Sequence, residues 1–300
     1  MSQPTGAPTR LNVRAAAKIN LALLVGPTRD DGYHEVATIM QAVGLWDEME
    51  VLLTAEGLGL EVEGEALPPD ESNLVLVAAR ELARRSRDLP GARFRLRKGI
   101  PVASGLGGGS ADGAAALLAL DRLWGLRLPA VNLFTMAAEV GADVPFCLNG
   151  GSRLGSGRGD RLTDIPVKGS LWWVIGIDAE ELATDSVYRR FDELGLARPL
   201  EDRWPDALLA ALAGGELVQL GALLANDLEP AAFDLLPCLA TGKQRLLEAG
   251  ALGAVMSGSG PTLLGLCRDE EHAGKVARAV HPAFARVEIA RSPVPGVTFG

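Results

Sequence analysis

Apolar and polar positions alternate from residue 11 to residue 25. Leu11, Val13, Ala15, Ala17, Ile19, Leu21 and Leu23 fall on one face, and Asn12, Arg14, Lys18 and Asn20 on the other. Period two over that length predicts a strand with one buried side. Residues 36–51 and 58–62 read as further strands of the same sheet, and Asp31-Gly32 just before them is a hairpin signal. Ser72-Asn73-Leu74 predicts a capped helix reaching about residue 85, with Leu74, Val77, Ala78 and Leu82 turned inward. Alternation returns at 93–98, giving a strand that leads into a glycine-rich stretch. A helix is expected directly after it, from Ala111 onward. Residues 131–140 predict another helix, with Gly141 as its C′ residue. Pro145 biases Val144 toward extended backbone and argues against helix there. The glycine-rich 150–159 reads as a hairpin, and the apolar 171–177 as a strand opening a second half-chain.

Helices are expected from 184 (with Thr184 or Asp185 as N-cap) and at 207–212, 216–224, 238–249 and 274–284. A polar turn is expected at 226–230, and strands at 253–256 and 262–267 flank a second small-residue loop. Strands and helices mixed without regular parallel βαβ order predict an α+β fold in two lobes. The lobes are divided here as residues 1–165 and 166–300, with residues 1–9 poorly ordered.

Composition narrows the function classes. The chain has 300 residues, 48% apolar and 22% charged, with a net charge of -9. That balance argues against a general nucleic-acid binder and a basic membrane-surface protein. No run approaches the roughly 18 apolar residues of a membrane span, so no span is expected, and the N-terminus lacks signal-peptide order; the reduced thiols described next suit a cytoplasmic location. Cys147, Cys238 and Cys267 are expected to be buried reduced thiols. His34, His272 and His281 show no paired spacing, which argues against a zinc site.

The chemistry-bearing stretch is Pro101-Val102-Ala103-Ser104-Gly105-Leu106-Gly107-Gly108-Gly109-Ser110. Four glycines in five positions let a ligand approach bare backbone, and a helix start after them adds unpaired N–H groups and a positive dipole end. That is a phosphate cradle, or else a turn-forming glycine run. It is no Walker loop, because Gly109 stands where the lysine belongs, and no dinucleotide fingerprint, because Ser110 replaces the third glycine.

Lys18 and Asn20 project from one strand face, roughly 7 Å apart, either as site residues or as a solvated edge. Tyr33-His34 sets an aromatic ring beside a donor–acceptor ring, which suits reading a base or merely a loop. Asp143 lies in the apolar turn 141–146 and calls for a cationic partner there, unless an Asx-turn satisfies it.

Taken together, Ala17-Lys18-Ile19-Asn20-Leu21, Gly32-Tyr33-His34, the 105–110 loop, Gly141-Ala142-Asp143-Val144-Pro145-Phe146, Asn226-Asp227-Leu228-Glu229-Pro230 and Met256-Ser257-Gly258-Ser259-Gly260-Pro261 form one set. It resembles the small-molecule kinases that include galactokinase, homoserine kinase and mevalonate kinase. Within them it is most similar to the 4-diphosphocytidyl-2-C-methyl-D-erythritol kinases. Ala16, Ser104 and Ala111 depart from the family's usual residues by small-for-small changes.

The resemblance implies a two-lobed fold with the active site in the cleft, and ATP-dependent phosphorylation of an alcohol. Lys18 and Asp143 match the catalytic pair. The loop from Pro101 to Ala111, with Asn73 and Lys98, matches the ATP site. Asn20, Tyr33, His34, Thr184 and Tyr188 match positions holding a cytidine diphosphate sugar alcohol. Mg²⁺ is implied with the nucleotide, and its protein ligands stay unassigned. Neither nucleic acid nor membrane is implied as a partner.

Overall fold

The longest strand changes character half way along. In a computed structural model that describes residues 8–64, 72–85, 89–201 and 203–300, β1 (Arg10–Thr28) alternates exposed and buried residues only as far as Ala15. From Ala15 to Gly26 every residue is buried, so the expected open face exists only at the strand's beginning. The second half is enclosed because the two halves of the molecule close over it.

β2 (His34–Thr54) folds back on β1 through the turn at Arg29–Tyr33, where Gly32 takes φ +81° as the Asp-Gly signal requires. Their antiparallel ladder shifts register at Ala16/Ala17, Asn20/Ala22 and Val25/Thr28. β3 (Leu58–Glu63) and β4 (Gly91–Arg97) extend the sheet beyond β2. On the packed face lie α1 (Leu74–Ala83), α2 (Gly108–Leu123), α3 (Ala130–Val140) and α4 (Val144–Asn149). The inner face of α2 is built mainly of alanines, which lets the helix approach β1 closely. β5 (Ser152–Ser156) and β6 (Arg161–Asp164) form the expected hairpin, hydrogen-bonded to β2.

A second, four-stranded antiparallel sheet starts with β7 (Leu171–Ile177). Helices α5 (Thr184–Glu193), α6 (Asp206–Gly214) and α7 (Leu217–Leu223) follow, then the two-residue β8 (Ala225–Asn226), which pairs with β1. Next come α8 (Glu229–Leu235), α9 (Cys238–Glu248), β9 (Gly253–Met256), β10 (Leu263–Cys267) and α10 (Glu270–Val280). β11 (Arg286–Ser292) completes the second sheet in the order β11-β7-β10-β9, and β12 (Val297–Phe299) returns to pair with β1.

Several local expectations are corrected. Pro145 does not exclude helix: it is the second residue of α4, where its missing N–H has no intrahelical acceptor to lose. Gly141 ends α3 with φ 177°, which is extended backbone and not a left-handed cap. Thr184 is the first helical residue of α5 rather than its cap, which is Ala183. The turn at 226–230 passes straight into α8, with Pro230 in its first turn. α10 begins at Glu270 because Asp269 accepts from the His272 amide at 2.7 Å. The strands β11 and β12 were not anticipated: in β11 the alternating Val287 and Ile289 are not the buried positions, which are Ala290 and Ser292, and β12 is only three residues long. Cys147 and Cys267 are buried as expected, whereas Cys238 is exposed, and all three are free thiols. Residues 1–7, most of the segment expected to be poorly ordered, lie outside the described residues. Among the described residues no helix is long and apolar enough to cross a membrane.

Candidate active site

The glycine-rich stretch departs from the end of β4 and turns into α2 earlier than the sequence suggests. Gly107 is the N-cap at φ +70°, and Gly108, Gly109 and Ser110 already form the first turn. The Ala111 amide donates to Gly107 O at 2.9 Å, so the amides just before it are those left without an intrahelical acceptor. Two glycines are demanded by space as well as by φ. A Cβ on Gly107 would stand 2.8 Å from Lys18 Cγ, and one on Gly105 (φ +76°) would stand 2.7 Å from Ser257 O. The first small-residue loop is thus packed against the lysine stem on one side and the second loop on the other. The Lys18 amide donates to Leu106 O at 2.8 Å, which ties the cradle to β1.

A cavity of about 400 Å³ opens on this cradle, lined by residues 101–105 and 107–110 with Ser72, Asn73, Leu74, Lys98 and Asp112. Leu106 and Ala111, expected at the same site, are buried in the core and do not line it. Asn73 Oδ1 accepts from the Val75 amide at 3.0 Å as the cap of α1. Lys98 is committed to a buried ion triad. Its Nζ donates to Asp47 Oδ2 at 2.5 Å and to Asp112 Oδ2 at 2.7 Å, with side chains no more than 4% exposed. Asp47 Oδ1 also accepts the Gly99 and Ile100 amides, at 2.7 and 2.9 Å. Burial and the Asp47 charge push the Asp112 carboxyl well above its usual range against the pull of Lys98. Burial opposes the Lys98 charge, but Asp112 and Asp47 outweigh it and raise that group.

Lys18 and Asn20 share a face as expected, but they are buried rather than solvated, at 6% and 4% exposed. Lys18 Nζ donates to Asn20 Oδ1 at 2.9 Å and lies 3.5 Å from Asp143 Oδ2. Asn20 Nδ2 donates to Thr38 Oγ1 at 2.8 Å, and Thr38 in turn to Ala22 O at 2.7 Å. Both charged groups line a second cavity of about 430 Å³, which shares Gly105, Gly107 and Ser110 with the first. The cationic partner expected for Asp143 is therefore Lys18.

A third cavity, about 410 Å³, continues from the second through Val36, Ala142, Arg158, Thr184 and Tyr188. Tyr33 and His34 line it. Tyr33 is 53% exposed, and the Arg158 guanidinium lies 3.7 Å above its ring. His34 is buried, with Tyr188 tilted against its ring at 5.4 Å and Phe191 meeting it edge-on. Burial, with the Asp143 charge second, pushes the Tyr188 phenol up to about 12. Thr184 Oγ1 is hydrogen-bonded to Ser259 Oγ at 2.8 Å, so α5 is fastened to the second small-residue loop. That loop is itself held by Asn226, whose Nδ2 donates to Met256 O and Gly258 O, both at 2.8 Å.

Sequence reasoning missed Asp47, Arg158 and Asp192. Asp47 lies 51 residues before its lysine partner, and no spacing rule connects them. Arg158 had a signal, since it is the long cation within the turn 157–160 of the glycine-rich hairpin.

The family model described as GHMP kinases N terminal domain matches residues 73–151, and that described as GHMP kinases C terminal matches residues 208–286. A Thermobifida fusca (strain YX) protein named 4-diphosphocytidyl-2-C-methyl-D-erythritol kinase is 43% identical, over 97% of this chain and 99% of its own. A protein of the same name from Saccharopolyspora erythraea is 45% identical, over 96% of this chain and 93% of its own. A crystal structure of 4-(cytidine 5'-diphospho)-2C-methyl-D-erythritol kinase superposes with a TM-score of 0.81 at 33% identity, covering 95% of this chain and 99% of that one.

Proposed function

The chain belongs to the GHMP kinases, in the branch of the 4-diphosphocytidyl-2-C-methyl-D-erythritol kinases, and from that premise we propose how its own residues perform the reaction. It is an ATP-dependent small-molecule kinase. It phosphorylates the 2-hydroxyl of 4-diphosphocytidyl-2-C-methyl-D-erythritol in the non-mevalonate route to isoprenoids.

The triphosphate lies on the amides at the start of α2, where bare backbone and the dipole favour negative charge. The acceptor hydroxyl enters the second cavity, against Asp143. Its oxygen attacks the γ-phosphorus in line, the bond to the bridging oxygen breaks, and the hydroxyl proton passes to the Asp143 carboxylate. Lys18 neutralises charge spreading over the equatorial oxygens of the moving group, the main demand of such a transfer. The observation that carries this reading is the Lys18–Asp143 couple, 3.5 Å apart, beside Gly105, Gly107 and Ser110 of the cradle.

Asn73 and the face of Lys98 border the purine and ribose end in this reading. Lys98 has one donor left for them, because the other two are taken by Asp47 and Asp112. Tyr33 and Tyr188 enclose the cytosine, with His34 at its hydrogen-bonding edge. Asn20 and Thr184 shape the passage between base and hydroxyl, and Arg158 supplies a cation beside the diphosphate.

Mg²⁺ would supply charge neutralisation on the triphosphate. Among the described residues no cluster of three or more His, Cys, Asp or Glu side chains is placed to hold a metal ion. The orphaned carboxylate oxygen by the cradle is Asp112 Oδ1, whose other oxygen is 2.7 Å from an ammonium that opposes a dication. The side chains of the described residues therefore do not build a metal site of their own.

The test is a phosphorus NMR spectrum of the product formed from ATP and 4-diphosphocytidyl-2-C-methyl-D-erythritol. A new monoester resonance coupled to the 2-position is expected. Phosphate on any other oxygen, or none transferred, overturns the assignment.

A further inference from the structure

The wall of the second cavity holds a buried hydroxyl that the reading above leaves without a task. Thr38 is 3% exposed and lies where the β1–β2 ladder slips by one residue. Asn20 stands opposite Met40, Leu21 is passed over, and Leu23 rather than Ala22 comes to face Thr38. The slip changes the face of β1, so that Lys18, Asn20 and Leu23 line one cavity with Val36, Thr38 and Met40 of β2. Across it the hydrogen bonds run in one direction. Thr38 Oγ1 donates its single proton to Ala22 O at 2.7 Å. It therefore meets Asn20 only as an acceptor, from Nδ2 at 2.8 Å. Asn20 Oδ1 is then the atom turned to Lys18 Nζ, at 2.9 Å, and an ammonium has only donors to offer. The amide is thus oriented from both ends.

What this chain of bonds governs is the place of the ammonium. Lys18 Nζ lies 3.5 Å from Asp143 Oδ2, beyond the roughly 2.7–3.2 Å of an N–H···O hydrogen bond. The Asn20 carbonyl oxygen, nearer at 2.9 Å, holds the lysine short of the carboxylate. With the amide reversed, Nδ2 would meet Nζ donor to donor, and Asp143 would be the acceptor left to it. An ion pair closed to contact would spend the charge meant for the phosphoryl group and occupy the oxygen meant for the hydroxyl proton. We propose that Thr38 is a positioning residue of this kinase: by orienting the Asn20 amide it keeps Lys18 off Asp143, so that both stay available to the transfer. This rests on the Lys18–Asp143 reading above and names the group that maintains the spacing of the pair.

The experiment measures kcat and both KM values in wild type, Thr38→Val, Thr38→Ser, Asn20→Ala and the double variant Asn20→Ala/Thr38→Val. Without the hydroxyl, kcat is expected to fall about 10–100-fold in Thr38→Val. Both KM values are expected to stay within about threefold, because the loss is made in the transition state. Thr38→Ser keeps the hydroxyl and is expected to turn over within about threefold of wild type. In the Asn20→Ala background the valine is expected to cost nothing further, since the residue it acts through is gone. A Thr38→Val kcat within about twofold of wild type, or a serine variant as slow as the valine one, overturns the proposal. So do losses that multiply in the double variant, as a direct substrate contact or a merely structural role would give. Should Thr38→Val fail to fold, Thr38→Cys, whose thiol bonds weakly, takes its place in the same comparison. Hydrogen exchange of the Asn20 side-chain amide, followed by NMR on enzyme labelled with ¹⁵N-asparagine, reads the orientation without turnover. Protection is expected in wild type and Thr38→Ser and its loss in Thr38→Val; protection unchanged by the valine overturns the proposal. If wild type fails to phosphorylate the cytidine substrate at all, the kinase reading itself fails. The exchange measurement then still decides whether Thr38 orients the amide.

Discussion

An ammonium buried as deeply as Lys18 costs several kcal/mol unless its charge is met, and here it is met only in part. The Asn20 carbonyl oxygen is in hydrogen-bond range at 2.9 Å, whereas Asp143 Oδ2 is 3.5 Å away and its side chain is 39% exposed. The unspent charge suits an incoming phosphoryl group, and the accessible carboxylate suits an incoming hydroxyl. Asp143→Asn keeps the size and removes the base. Its kcat is expected to fall about 10²–10⁴-fold with ATP affinity nearly unchanged, as read by steady-state kinetics and nucleotide titration. Near-normal turnover would take Asp143 out of the mechanism. At this scale the sequence was informative where residues are close along the chain. Lys18 and Asn20 share a face because strand side chains repeat every two residues. Their burial was illegible, because the loop that covers them comes from residues 257–260.

Between elements, the triad of Asp47, Lys98 and Asp112 holds β2, the end of β4 and the second turn of α2 together directly beneath the cradle. One ammonium serves two carboxylates there, which sets a pH dependence. Unfolded, Asp112 ionises near 3.8, and folded, burial and Asp47 hold its value well above that. The folded state therefore favours the protonated form. The stability contributed by Asp112 is complete below the unfolded value and is lost as pH rises toward the folded one. Asp112→Asn cannot ionise, so its melting temperature is expected to gain on wild type as pH goes from about 4 to about 7. A gap that stays constant in thermal unfolding over that range would refute the argument. Lys98→Met leaves both carboxylates without their cation and is expected to cost about 3–5 kcal/mol at neutral pH.

The glycine run and the helix behind it were legible as elements. That α2 starts at Gly108 was not, because glycine has poor helix propensity and only the docking of that turn against Leu74, Ile100 and Lys98 makes it helical. Pro145 misled for a related reason: a proline marks the boundary of a helix, and local sequence does not say on which side.

For the molecule as a whole, the proposed division into residues 1–165 and 166–300 divides the chain more than the core. One continuous apolar cluster joins Ile19 and Leu21 of β1 and Leu117 of α2 to Trp173, Ile175 and Leu264 of the second sheet. A second cluster joins Leu23, Val25 and Val36 to Val187, Phe191 and Met256. β12, from the end of the chain, completes the first sheet. A single cooperative transition is therefore expected in scanning calorimetry, with calorimetric and van't Hoff enthalpies equal. Two resolved transitions would show that the lobes are stable separately.

By itself, the sequence determined most of the elements, though not α4, β11 or β12, and which residue types are gathered for phosphoryl transfer. Period-two and helical patterns, glycine φ and capping side chains act over a few residues and are written locally. Only the tertiary structure decided that Lys18 is enclosed, that Asp47 commits Lys98, and that three cavities run on from one another past the Lys18–Asp143 couple. Those outcomes depend on surfaces from distant stretches of chain excluding water together, and burial of that kind has no local signature.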